Sequence, residues 1–214
     1  MARERELVLR VVKMDVASGT LDWDDFANKL SSRTKLVAIG AASNALGTIT
    51  DVARAAKLAH SVGALAFVDA VHYAPHNLVD VRAPDCDFLM CSAYKFYGPH
   101  IGVLYCRRAL LETLPFAKVQ PASNTAPDRA ETGTLNHEGI AGAAAAVDFF
   151  ASIAPGEGSR RERLTMALDA LHARGTALMQ RLWNGLAEIK GVTLFGPRPE
   201  APRTSTVAFT VAGV

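Results

Sequence analysis

The chain has 214 residues, of which 50% are hydrophobic and 21% charged, with a formal net charge of +2 and a pI of about 8.5. That places it among ordinary soluble globular chains, long enough for a substantial core in one domain or two. With no Lys/Arg run interleaved with aromatics, nucleic acid is not an implied partner. No apolar run reaches membrane-spanning length, and the start, MARERELVLR, lacks the apolar core of a signal peptide, so the expected location is the cytoplasm.

In chain order, residues 6–14 read as a strand and residues 23–30 as a short helix opened by acidic residues near Asp22. Residues 35–42, KLVAIGAA, form the next strand, which ends at Ser43-Asn44, and Asp51 opens an alanine-rich helix to about Val62. Residues 64–69 are an apolar run closing on one carboxylate, Asp69. Strand, helix and strand imply parallel pairing, so Asn44 and Asp69 leave the sheet at the same edge. In open α/β sheets that carboxyl edge is where ligands bind, although an Asp there is also a common helix N-cap.

Two further strands, 87–93 and 101–106, flank a single lysine, Lys95. An ammonium between two buried strands must be neutralised, paired or used covalently; the plain alternative is a solvated turn lysine. The turn Tyr97-Gly98-Pro99-His100-Ile101-Gly102 is rich in breakers and short, which favours an antiparallel return strand. Asp69 followed by Lys95 supplies what a pyridoxal phosphate site needs, an anion for the ring nitrogen and an amine for a Schiff base.

Past Arg108 come a short helix, an irregular segment at 120–129, the run Glu131-Thr132-Gly133-Thr134 and a helix over 137–153, in front of which Thr134 is either a capping hydroxyl or a functional one. The segment 155–158, PGEG, is the best linker. A long helix over 160–189 and strands at 192–195 and 204–211 then read as the opening of a smaller α+β domain, dividing the chain at 1–154 and 155–214. Cys86, Cys91 and Cys106 form no CxxC pair and read as small packed thiols, and the six histidines show no metal-site spacing.

The segments VDAVHYAPH, SAYKFYGPHIGVLY and ETGTLNHEGIAGAAAAVDF, with Asn44 in AASNALGTI, resemble the aminotransferase class V group of pyridoxal phosphate enzymes, in particular its cysteine desulfurase-like members. The resemblance implies an α/β fold, the fold type I large domain, mostly parallel with one reversed strand, followed by the start of the small C-terminal domain. It implies pyridoxal 5'-phosphate as cofactor. Lys95 would form the internal aldimine and move protons at the substrate α-carbon. Asp69 would pair with the ring nitrogen, His72 and Asn44 would contact the ring hydroxyl, and Ser92 would hold the phosphate. Tyr94 stands where many desulfurases carry a phosphate-contacting histidine. Thr134 would reach the phosphate of the neighbouring subunit in a homodimer.

The implied substrate is a small amino acid, cysteine for a desulfurase. Epimerase or transaminase chemistry is the nearest alternative, and a non-catalytic interaction module the alternative of another class. Family chains are much longer than this one. The resemblance therefore puts a ring-stacking aromatic before Met1 and the desulfurase cysteine beyond Val214, and this span alone is expected to be inactive.

Overall fold

The computed structural model describes residues 7–131 and 133–213. The chain enters through a two-stranded antiparallel ribbon, β1 (Met14–Asp15) and β2 (Thr20–Leu21), and the helix α1 (Trp23–Lys29). The strand expected over 6–14 is reduced to its last residue: Glu6 lies outside the described residues, and residues 7–13 carry no strand. Leu7, Val8, Leu9 and Val11 are exposed with no neighbouring strand among the described residues, and an unpaired apolar run cannot complete a ladder. Asp22 caps α1 by accepting from the amides of Asp24 and Asp25.

The central sheet contains β3 (Leu36–Gly40), β4 (Leu65–Asp69), β5 (Phe88–Ser92) and β6 (Gly102–Cys106) in that order. Its first three strands are parallel and β6 is reversed, as the short turn before it requires. Between β3 and β4 runs α2 (Val52–Ser61), capped by Asp51. Ala55, Ala56 and Ala59 on its buried face are small enough to seat the helix closely on the sheet, and with Phe26, Val37, Ala64 and Ala66 they make one core cluster. Ala41, Val68, Ala70, Cys86 and Leu89 form a second.

Beyond the sheet come α3 (Arg108–Thr113), α4 (His137–Ile153) and α5 (Arg160–Ala187), then the antiparallel pair β7 (Val192–Phe195) and β8 (Ala208–Val211). α5 opens with a capping box between Ser159 and Glu162, directly after the expected linker. β8 starts later than the expected strand over 204–211 because the backbone there is engaged elsewhere: the Thr204 amide donates to the Gly47 carbonyl at 2.8 Å. Ile140, Phe149 and Ile153 on α4 and Leu171, Leu178 and Leu182 on α5 remain exposed. Cys86 is buried, Cys91 and Cys106 are half-buried, and all three are free thiols. Among the described residues no helix is long and apolar enough to cross a membrane, and no cluster of His, Cys, Asp and Glu is placed to hold a metal ion.

At the amino edge of the sheet, Asp87 is only 5% exposed. Its Oδ2 accepts from the Ala66 amide and pairs with His60 Nε2, both at 2.8 Å, while Oδ1 faces Arg107 Nε at 3.0 Å. Its own backbone is bonded to Ala66 on one side and Arg107 on the other. Each side-chain partner is a donor, so replacing one oxygen by an amide nitrogen turns a donor toward a donor. Asp87→Asn should destabilise the fold by about 2–3 kcal/mol in urea denaturation. A loss below about 0.5 kcal/mol would show that the network contributes nothing beyond surface pairing.

Candidate functional site

The register of the parallel strands places Gly40, Asp69 and Met90 side by side. The chain leaving this line carries Asn44 after β3, Asp69 itself at the end of β4, Ser92 at the end of β5 and Lys95 just after it, all at one edge. Asp69 is exposed there, and its Oδ1 accepts from the Val71 amide at 2.9 Å. That bond closes a local turn, and no helix follows, so the helix-cap reading does not hold. The other carboxylate oxygen has no protein donor among the described residues.

Ser92 is the last residue of β5 and its hydroxyl makes no capping bond to the turn it precedes. One 3-10 turn, Ala93–Phe96, then carries Tyr94 and Lys95 and closes at Tyr97 with φ of 64°. The Gly98 amide returns to the Ala93 carbonyl at 2.8 Å, and a Cβ at Gly98 would stand 2.9 Å from that of Ala93. Pro99 lies against Gly142 of α4, where a Cβ would come within 3.1 Å, and Tyr97 packs its ring against Phe149 and Phe150 at centroid distances of 6.4 and 5.6 Å. The turn is therefore pinned from below, as its breakers suggested.

Lys95 itself is exposed, which corrects the expectation of an ammonium held between buried strands. The turn carries it off the end of β5, so its charge stays in water, and its Nζ lies 5.2 Å from the Tyr94 ring centroid. Tyr94 in turn stacks on His100, with centroids 5.0 Å apart and rings 14° from parallel.

His72, three residues past Asp69, is half-buried. Its Nε2 lies 3.1 Å from Thr204 Oγ1 and 3.0 Å from Thr206 Oγ1. Its pKa is pushed below the ordinary histidine value, first by burial and then by the Lys95 charge, which ties Lys95 to the same corner. His76 meets His72 edge-on at 5.0 Å and is also pushed down, by burial first and by His72 and His172 after it. Asn44 is exposed on a tight turn in which the Ser43 amide donates to the Thr48 carbonyl at 2.8 Å. Thr134 is exposed and does not cap α4; Asn136 does, accepting from the Gly139 amide at 2.8 Å. Thr132 of the same motif lies outside the described residues.

Arg203 is the residue that sequence reasoning missed. It is 3% exposed, and its guanidinium donates to the carbonyls of Pro197, Thr204, Thr206 and Leu46 while stacking 4.8 Å over Trp183. Gly47, at φ of 80°, is required here: a Cβ would approach the Thr206 and Thr204 carbonyls at 3.0 and 3.1 Å. The Asn44 turn is thus fastened to residues 203–206. A lone arginine in a polar segment carries no periodicity or motif from which this could be read.

The donor set fits pyridoxal phosphate. An exposed amine stands free of any carboxylate among the described residues, near a carboxylate with one oxygen undonated, an imidazole, an amide and uncommitted hydroxyls. These are the groups for an aldehyde, a protonated ring nitrogen, a ring hydroxyl and a phosphate.

Comparison with known proteins gives one family. The profile of the aminotransferase class V family matches residues 1–214. A cysteine desulfurase of Enterobacter sp. (strain 638) is 36% identical over 95% of this chain and 49% of its own length. A probable cysteine desulfurase of Synechocystis sp. is 34% identical over 100% of this chain and 51% of its own. Among solved structures, the cysteine desulfurase CsdA of Escherichia coli superposes with a TM-score of 0.82 at 28% identity, covering 100% of this chain and 52% of that one. The apo cysteine desulfurase of Thermococcus onnurineus NA1 also gives 0.82, at 31% identity and the same coverage. The chain spans about half the length of the curated relatives it matches.

The two depressed histidines have a consequence for stability. The unfolded chain takes up protons on His72 and His76 near pH 6.5 while the folded chain resists them, so the stability present above that pH is lost as pH falls toward their lower folded values. The melting temperature should therefore drop between about pH 7 and 5.5. The drop should be shallower in a His72→Gln/His76→Gln variant; equal slopes in the two proteins would contradict the shifts.

Proposed function

The chain belongs to the aminotransferase class V family, and from that premise we propose that it serves a cytoplasmic pyridoxal-phosphate-dependent enzyme of the cysteine desulfurase-like group, acting on a small amino acid. The observation that carries this reading is the meeting, at one sheet edge, of a carboxylate oxygen on Asp69 that no donor among the described residues reaches with a pinned turn that presents the exposed amine of Lys95. When bound, pyridoxal phosphate supplies an aldehyde that an amine can take and a ring that accepts electrons from the substrate α-carbon.

In this reading Lys95 anchors the cofactor and moves the proton at the α-carbon, for which an unpaired amine on a fixed turn is suited. Asp69 keeps the ring nitrogen protonated by charge pairing. His72 and Asn44 would hold the ring hydroxyl, and Ser92 and Tyr94 the phosphate. Exposed Thr134 would reach the phosphate of a second copy in a homodimer. Residues 1–154 would form the cofactor-binding part and 155–214 the linker helix and the start of a smaller domain. Burial raises the thiol pKa of Cys86, Cys91 and Cys106, so none of them is a ready thiolate, and we assign the sulfur-accepting role of a desulfurase to none of them.

Incubation with pyridoxal phosphate, borohydride reduction and peptide mass analysis should put the pyridoxyl group on Lys95, and Lys95→Ala should abolish it. Labelling that survives in Lys95→Ala would remove Lys95 from the role. In the complete enzyme Asp69→Asn, which keeps the size and the turn bond, should lower turnover on the order of 100-fold; full activity would reduce Asp69 to a turn residue.

A further inference from the structure

We propose that Arg203 is a positioning residue for Asn44 and His72, its guanidinium holding together the two stretches of chain that set these side chains at the sheet edge. The proposal rests on the reading of both as residues that hold the ring hydroxyl of pyridoxal phosphate. It is carried by a buried cation whose partners include a carbonyl 157 residues away in the chain.

Arg203 is 3% exposed, and its planar fork of N–H groups meets carbonyl oxygens with no carboxylate among the described residues. Nη2 donates to the Leu46 carbonyl at 3.4 Å and to that of Thr206, Nε to that of Thr204 at 3.3 Å, and Nη1 to that of Pro197. The negative ends of these dipoles all point at one place. Without a cation there they would repel one another in a poorly solvated interior and draw apart. A single ammonium does not meet them all, because they arrive from separate stretches and in different directions.

Two of those stretches lead directly to the site. Leu46 belongs to the turn that carries Asn44, closed by bonds from the Ser43 amide to the Thr48 carbonyl at 2.8 Å and from the Gly47 amide to the Ser43 carbonyl at 2.9 Å. A shift at Leu46 therefore moves Asn44. Thr204 and Thr206 stand with their hydroxyls 3.1 and 3.0 Å from His72 Nε2, so a shift there removes the groups against which the imidazole rests. The stretches are packed too closely to move independently: the Thr204 amide is bonded to the Gly47 carbonyl at 2.8 Å, and a Cβ at Gly196 would stand 2.6 Å from the Leu46 carbonyl oxygen. On its other side the guanidinium lies over Trp183 of α5. Lys95 sits on a separate turn, pinned against α4, and does not depend on this junction.

The test separates positioning from stability. In Arg203→Lys, which keeps a charge but not the fork, the side-chain amide signals of Asn44 and the ring signals of His72 should both shift in nuclear magnetic resonance spectra of the chain without cofactor; Asn44→Ala and His72→Gln assign them. Pyridoxal phosphate affinity, read by fluorescence titration, should fall roughly 10-fold, about the worth of one hydrogen bond to a charged oxygen, while borohydride labelling of Lys95 at saturating cofactor stays complete. Gly47→Ala, whose Cβ presses on the Thr204 and Thr206 carbonyls, should move the same signals and weaken binding with the arginine intact. Asp87→Asn is the control: it weakens the fold from the opposite edge of the sheet and should leave the signals in place. A folded Arg203→Lys protein with unmoved signals and unchanged affinity overturns the proposal. So does an Asp87→Asn protein that reproduces the shifts, since Arg203 would then act through stability alone. If Arg203→Lys does not fold, Gly47→Ala decides, and unmoved Asn44 and His72 signals in it overturn the proposal. If the signals move as expected but the wild type takes up no pyridoxal phosphate, the positioning role stands and the cofactor reading above is the one that fails.

Discussion

The arrangement depends on one buried anion. Asp87 takes donors from β4, from α2 and from the residue that follows β6, and its backbone continues the ladder to both neighbours. A carboxylate out of water is tolerated only when such donors are all in place, so few alternative pairings of these strands would satisfy it. A strand slipped by one residue would turn its side chains to the opposite face, which this constraint opposes. The carboxyl edge inherits the alignment: with Ala66 and Asp87 locked at one end, Asp69 and Met90 fall opposite each other at the other.

Register is thus set at one edge and chemistry is left to the other. At the carboxyl edge the backbone is held tightly while the functional side chains are left uncommitted. The turn bearing Lys95 is fixed by Gly98 against Ala93, by Pro99 against Gly142 and by Tyr97 among the phenylalanines of α4. The amine projects into solvent, its Nζ 5.2 Å from the Tyr94 ring centroid. A fixed root with a free head suits a group that must meet a cofactor in one orientation and then move a proton.

Arg203 supplies a second organising charge of a different kind. Its guanidinium is buried and faces carbonyl oxygens and an indole, with no carboxylate among the described residues, and burial pushes its pKa down from the usual arginine value. Several carbonyl dipoles in place of one anion spread the compensation across three stretches of chain, around Leu46, Pro197 and Thr206. The Asn44 turn and the Thr204–Thr206 hydroxyls therefore belong to one rigid unit, which extends the site to the end of the chain that follows α5.

The sequence by itself determined what rests on neighbours along the chain. Asp22 and Asp51 announced helices because a capping carboxylate bonds amides two or three residues on. The β3–α2–β4 unit followed from its apolar runs and its alanine-rich helix, and the reversal at β6 from a turn too short for a crossover. These were enough to put Asn44, Asp69, Ser92 and Lys95 at one edge, and the motifs around them named the family. Tertiary structure alone decided the exposure of Lys95, the failure of residues 7–13 to form a strand and the late start of β8, since each turns on whether a distant partner is present. It alone brought Thr204, Thr206 and Arg203 to the site. Their contacts span more than 130 residues, and a hydrogen bond across that distance leaves no periodicity in the chain, because what fixes it is the packing of the elements between.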